Sequence, residues 1–127
     1  MKIQAYMGGN GTGEGTHISL YHVLCKGDND DSLHWPFLQH VKFTLQPQSN
    51  NVKPLIKTIT DSEEVRSQPT NIECFGKPPP EGNTGRGFTE CFSHNTVSTG
   101  YIKDNAIEIY ITVDEGTQVI ASYTFIC

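Results

Sequence analysis

No apolar run in this sequence approaches the roughly 18 to 20 residues that a helix needs to span a bilayer. The N-terminus, MKIQAYMGGNGTG, has one lysine and no continuous apolar stretch, so it does not read as a secretory signal. Basic residues are scarce. Nine Lys and Arg stand against fourteen Asp and Glu, a net charge of −5, and the nine form no cluster. That argues against nucleic acid or an anionic membrane surface as a partner, because both need a basic footprint. Cysteine is sparse too: four residues, at 25, 74, 91 and 127, with no C-x-x-C pair. A framework of closely spaced disulfides is absent. The thiols read as reduced groups of a cytosolic protein, with Cys25 and Cys91 buried in apolar segments. Helical periodicity is nearly missing as well. The one candidate is TDSEEVRS, where Asp61 stands three residues before Glu64, a capping-box spacing, and a single turn is expected.

What is present is a strong period of two in a chain of 127 residues, the length of one domain. VKFTLQ places Val41, Phe43 and Leu45 on one face, and AIEIYITV places Ile107, Ile109, Ile111 and Val113 together. Both are half-buried strands. KIQAYM alternates more weakly, with Ile3, Ala5 and Met7 inward. In THISLYHVLC, Ile18, Leu20, His22 and Leu24 share a face. PLIKTIT and GFTECF are shorter candidates, and QVIASYTFI is a further one near the C-terminus. Turn residues punctuate these runs at 8–15, 27–31 and 46–51, and a long irregular stretch follows at 66–87. Six or seven short strands so separated predict an all-β antiparallel sandwich or barrel. Loops as long as 66–87 are usually functional or mobile.

Catalytic and metal chemistry find little support. GGNGTGEG lacks the lysine of a phosphate loop and leads into a strand, so it reads as a glycine-rich hairpin loop. Asn10-Gly11-Thr12 matches a glycosylation acceptor but reads as a turn. Of five histidines, His17 and His22 are five apart, an odd spacing that sends them to opposite faces of a strand. Surface or satisfied core roles fit them better than metal ligation. Cys91 with His94 lacks an orienting third group. Asp28, Asp30 and Asp31 lack the spacing of a calcium loop and read as a solvated turn. No catalytic residue, metal or cofactor is expected.

Two ordered blocks carry a resemblance. GNGTGEGTHISLYHVLCKGDNDDSLHWPFLQHVKFTL combines Gly9 to Gly13, Thr16 to Tyr21, Asp28 to Asp31 and the rare Trp35-Pro36-Phe37; GYIKDNAIEIYITVD follows at 100 to 114. Together they resemble the C-terminal TRAF or MATH domain of the TNF-receptor-associated factors. GNGTGEG and the CFSH at 91–94 suggest kinship with the fourth numbered member. The resemblance covers about residues 2 to 114. It implies an eight-stranded antiparallel sandwich, usually trimerised by a preceding coiled coil. It implies a cytoplasmic adaptor that binds short extended peptides of receptor tails along a sheet edge. The membrane is then reached only by way of receptors, and other TRAF chains are further partners.

Carried over residue by residue, the implied peptide contacts are Tyr6, Asn10, Gly11, Tyr21, Ser62, Thr84 and Gly85. Gln4 stands where the family often has an Arg, and Asn10 where it has an Asp. Glu63 and Glu64 follow Ser62 and would repel an acidic peptide. Loss of the Arg removes a charge-assisted hydrogen bond to a peptide carboxylate, so a preference for acidic motifs is in question. Trp35, Pro36 and Phe37 are expected to close one end of the core rather than touch a ligand. The chain begins at what would be the family's third strand. Residues 1–114 then form a partial sandwich, and 115–127 an extension. Either that extension supplies a replacement strand with Val119, Ala121, Tyr123 and Phe125 inward, or the product is truncated or divergent. The alternative function is a regulatory or decoy module that has lost peptide binding and pairs with other TRAF proteins.

Overall fold

The computed structural model of the chain describes residues 1–114 and the strand 117–124, where Tyr123 alone has its side chain described. Two antiparallel sheets form an all-β sandwich. One sheet has the order β1-β2-β5, from β1 (Lys2–Tyr6), β2 (His17–Val23) and β5 (Arg86–Ser93). The other runs β4-β3-β6-β7, from β3 (Val41–Leu45), β4 (Leu55–Ile59), β6 (Ala106–Val113) and β7 (Thr117–Thr124).

The period-two runs explain the core. Val41, Phe43 and Leu45 are fully buried, and so are Ile107 and Ile109. They face Ile18 and Leu20 of the opposite sheet. Phe43 meets Phe88 edge-on across the sandwich, with centroids 6.4 Å apart. Val113, expected inward, is only half-buried at the end of β6. Ile3, Ala5 and Met7 pack against the core from the edge strand β1. Of the inward positions expected in the C-terminal segment, Tyr123 packs on the core. The side chains of Val119, Ala121 and Phe125 lie outside the described residues. β7 pairs with β6 over its full length, from Val113↔Thr117 to Ala106↔Thr124.

Several expectations are corrected. Cys25 is exposed, because β2 ends at Val23 and the chain turns outward, whereas Cys74, like Cys91, is buried in the core cluster. The helical turn at 63–66, α1 (Glu63–Arg66), is capped by Ser62, whose Oγ accepts from the Val65 amide at 3.2 Å. Asp61 instead turns its carboxylate to Arg86, at 3.1 and 3.2 Å. The stretch 66–87 is not a free loop. It contains α2 (Ile72–Phe75), which buries Cys74 and Phe75, and its far side is tied down where Asn83 Nδ2 donates to the Gly76 carbonyl at 2.7 Å. A further turn, α3 (His94–Val97), is capped by Ser93. The acidic turn is not wholly solvated: Asp30 is buried and accepts from the Gly27 amide at 2.9 Å.

The aromatic triplet divides between roles. Phe37 packs on the core and its ring stands 6.1 Å from that of His22. Pro36 is buried behind a cis Trp35–Pro36 peptide. Trp35 is half-buried outside the core cluster, and its Nε1 donates to the Asp30 carbonyl at 2.8 Å. A ring at that place braces the acidic turn more than it fills the interior.

The end of the sandwich near Phe37 is held by a buried cation. Arg66 has no exposed surface. Its guanidinium donates to the carbonyls of Asp61 (2.7 Å), Phe37 (2.7 Å) and Gln39 (2.9 Å), and lies 4.6 Å from the centroid of the Phe75 ring. Burying a cation is costly unless donors find partners; three carbonyls and an aromatic face supply Nε and Nη1, while Nη2 has no hydrogen-bond partner among the described residues. One side chain thus joins the 35–40 segment, α1 and α2.

Candidate functional site

Antiparallel register fixes which side chains share the outer face of the β1-β2-β5 sheet. Tyr6 pairs with Ser19 and Gln4 with Tyr21, while Tyr21 pairs with Gly87 on β5. Because faces alternate along a strand, Gln4, Tyr6, Ser19 and Tyr21 all point away from the core, opposite to Ile18, Leu20 and His22. Tyr6 is exposed and Tyr21 half-buried; their rings meet edge-on with centroids 5.9 Å apart.

The 8–15 loop is bound to the same face. The Tyr21 hydroxyl donates to the Asn10 side-chain oxygen. The Asn10 amide donates to Ser19 Oγ at 2.9 Å, and Ser19 Oγ donates to the Thr89 carbonyl at 2.6 Å. This relay links the loop, β2 and β5. Gly13 makes the close approach that it requires: a Cβ there would stand 2.0 Å from the Thr89 carbonyl oxygen. Thr12 and Thr89 hydroxyls add a contact at 3.0 Å.

Of the residues singled out from the sequence, Tyr6, Asn10, Gly11, Tyr21 and Gly85 come together here. Gly11 lies over the Thr89 side chain. A Cβ on Gly85 would lie 3.0 Å from Gln4 Oε1 and 3.1 Å from Tyr21 Cβ. With Gly87 also bare, no β5 side chain stands between Tyr21 and the outer edge of β5. Among the described residues no strand pairs with that edge. Ser62 and Thr84 sit at the start of β5 instead. Asp61 carries Ser62 there through its pair with Arg86, and the Thr84 amide donates to the Glu73 carbonyl at 2.9 Å. Both are exposed. No contact joins either one to the tyrosine pair among the described residues.

The sequence reading missed Ser19 and Thr89, although Ser19 lies on the polar phase of β2. It also missed Arg66 and Arg86, which with His22, expected on the inward face, build the supporting layer beneath. His22 is buried between Phe37 and Phe75 and neither ring nitrogen has a partner among the described residues, contrary to a satisfied role. Burial first, then the nearby Arg66 and Arg86 charges, push its pKa down to about 4. It is neutral at physiological pH. Burial pushes the Cys91 thiol up to about 12 and raises Cys74, so neither offers a thiolate. His94 Nε2 contacts the Met7 carbonyl at 2.8 Å. No group of three or more His, Cys, Asp or Glu able to hold a metal occurs among the described residues.

A protein-family model described as TRAF/meprin, MATH domain matches residues 1–110. The chain is 35% identical over 114 residues to TNF receptor-associated factor 5 of Mus musculus, covering 87% of this chain and 19% of that protein. It is 34% identical over 116 residues to TNF receptor-associated factor 2 of Homo sapiens, covering 90% and 22%. A solved structure of TNF receptor-associated factor 5 from Notothenia coriiceps matches with a TM-score of 0.77 at 29% identity, over 91% of this chain and 55% of that one. The chain spans about a fifth of the length of these curated relatives. They carry the numbers five and two, and give no support to a kinship with the fourth member in particular.

Proposed function

The chain belongs to the TRAF/meprin MATH-domain family, and from that premise we propose that it is a non-catalytic adaptor module for short extended peptides. Such peptides belong to receptor tails or signalling partners of the TNF-receptor and innate immune type, and the module works in the cytoplasm. No described helix is long and apolar enough to cross a membrane, and receptors are its route to one.

The observation that carries this reading is the bare outer face of β5 beside Tyr21, next to an unpaired strand edge. An extended peptide added to that edge gains main-chain hydrogen bonds, while alternate side chains meet the neighbouring surface. Tyr6 and Tyr21 supply rigid aromatic area. Gly85 adds no side chain beside Tyr21, and Thr84 and Ser62 offer hydroxyls at the start of the strand. Gly11 and Asn10 hold the loop that walls the far side. Titration calorimetry with P/S/T-x-Q/E-E peptides tests it: binding that weakens on Gly85→Val supports the reading. No heat at millimolar peptide, with the domain folded, removes it.

A second reading is a regulatory or decoy module that associates with other TRAF chains. The neutral Gln4 and the engagement of the Asn10 side chain by Tyr21 favour it. Mass measurement with an intact TRAF domain, alone and mixed, separates the two.

A further inference from the structure

We propose that the groove selects a peptide carrying a basic side chain, which enters the cavity beside Thr84. This rests on the peptide-binding reading and names its ligand class.

The cavity lies at the start of β5, between α2 and the 79–84 segment, with a volume of about 460 Å³. Thr84 stands at its mouth, one residue from Gly85 and the tyrosine face, so a chain lying along the β5 edge passes it. Its lining includes apolar Ile72, 42% exposed, and Pro79. Two carboxylates, Glu73 and Glu81, line it as well. Neither takes part in an ion pair among the described residues. The cation in the lining, Lys77, is paired with Asp31.

A lining that combines apolar residues with carboxylates suits a side chain with an aliphatic stem and a cationic head. A peptide carboxylate meets the opposite situation. Arg86 is engaged by Asp61, Lys2 lies on β1 and pairs with Val23, and Lys57, 6.0 Å from the Phe88 ring, does not line the cavity. Gln4, the polar side chain next to Gly85, is neutral. Glu63 and Glu64 add negative charge on the α1 side. Complementarity in charge decides specificity more than raw affinity, and here it favours lysine or arginine.

The test uses the full chain and fluorescent ten-residue peptides built on Pro-x-Gln-Glu, with Lys, Ala or Glu placed in turn at each position. At one position at least, the lysine peptide is expected to bind roughly five- to tenfold more tightly than its glutamate twin, with a preference that shrinks as salt rises. A Glu73→Gln/Glu81→Gln variant of unchanged melting temperature should lose that preference and still bind the alanine peptides. Binding without any charge preference, or with glutamate favoured throughout, overturns the basic-ligand proposal and leaves peptide binding standing. A lysine preference that survives in the double variant overturns the cavity's role. No binding by any peptide to the folded domain overturns both readings.

Discussion

His22 gives a sharp test of how the site's supporting layer is built. Its side chain is 1% exposed, and the Phe37 and Phe75 rings stand 6.1 and 6.0 Å away. Its pKa falls from the ordinary 6.5 to about 4. A base with a lowered folded pKa takes up its proton more readily when the chain unfolds. Stability is therefore untouched above about pH 6.5, falls as pH drops from there towards 4, and levels off below it. For that shift the linkage amounts to about 2 kcal/mol by pH 5 and about 3 kcal/mol by pH 4. That is a large share of a small domain's total, roughly 5 to 15 kcal/mol. His22→Leu removes the proton site and leaves no unmatched polar atom. Urea unfolding at pH 7 and pH 5, for both proteins, isolates the effect, because other titrating groups cancel in the difference. At pH 7 the two proteins should agree within about 1 kcal/mol, since volume and apolar contact are nearly kept. At pH 5 the variant should be ahead by about 2 kcal/mol more than at pH 7. Parallel curves for the two proteins would refute the buried, unpartnered imidazole.

Three further outcomes follow from the same geometry. Arg66→Met should cost about 3 to 5 kcal/mol in denaturant unfolding, since three buried carbonyls lose their donor, and Arg66→Lys should recover little of it because an ammonium cannot match the planar fork. Trp35→Ala should cost about 2 kcal/mol, less than for a fully buried ring, measured by the same method; no loss at all would show that its contact with Asp30 is idle. Gly13→Ala should destabilise by more than about 2 kcal/mol because its Cβ collides with backbone, whereas Gly85→Val, crowding Gln4 Oε1 and Tyr21 Cβ at 3.0 and 3.1 Å, should cost about 1 to 2 kcal/mol and weaken peptide binding by the folded domain at least tenfold.

The strands legible in the sequence are those with one dry face. β3 and β6 alternate because Phe43 and Ile109 meet the core while Lys42 and Glu108 meet water. β2 was harder, since Ser19 and Val23 on its outer face are also buried, so burial there does not follow the alternation of the sequence. α2 and α3 are four residues each, too short to show a helical period. The Ser93 cap was the one local signal for α3. Arg66 left no mark at all. Two of its three acceptors are backbone carbonyls 27 and 29 residues away, and any carbonyl reads alike in a sequence. His22 was seen on the inward face, but its lack of partners depends on Phe37 and Phe75, which arrive from distant segments. The motif resemblance pointed to Tyr6, Asn10, Gly11, Tyr21 and Gly85, which the fold places near one another. It could not find the Ser19–Thr89 relay, which exists only because β2 and β5 pair.

The most direct measurement of the central claim is amide chemical-shift mapping of the full chain during titration with a Pro-x-Gln-Glu peptide and its lysine twin. Extended peptide added along β5 predicts the largest shifts at Gly85, Gly87 and Tyr21, with smaller ones through Asn10 and Ser19. Shifts centred instead on β4 or β7, or none at saturating peptide, would contradict it.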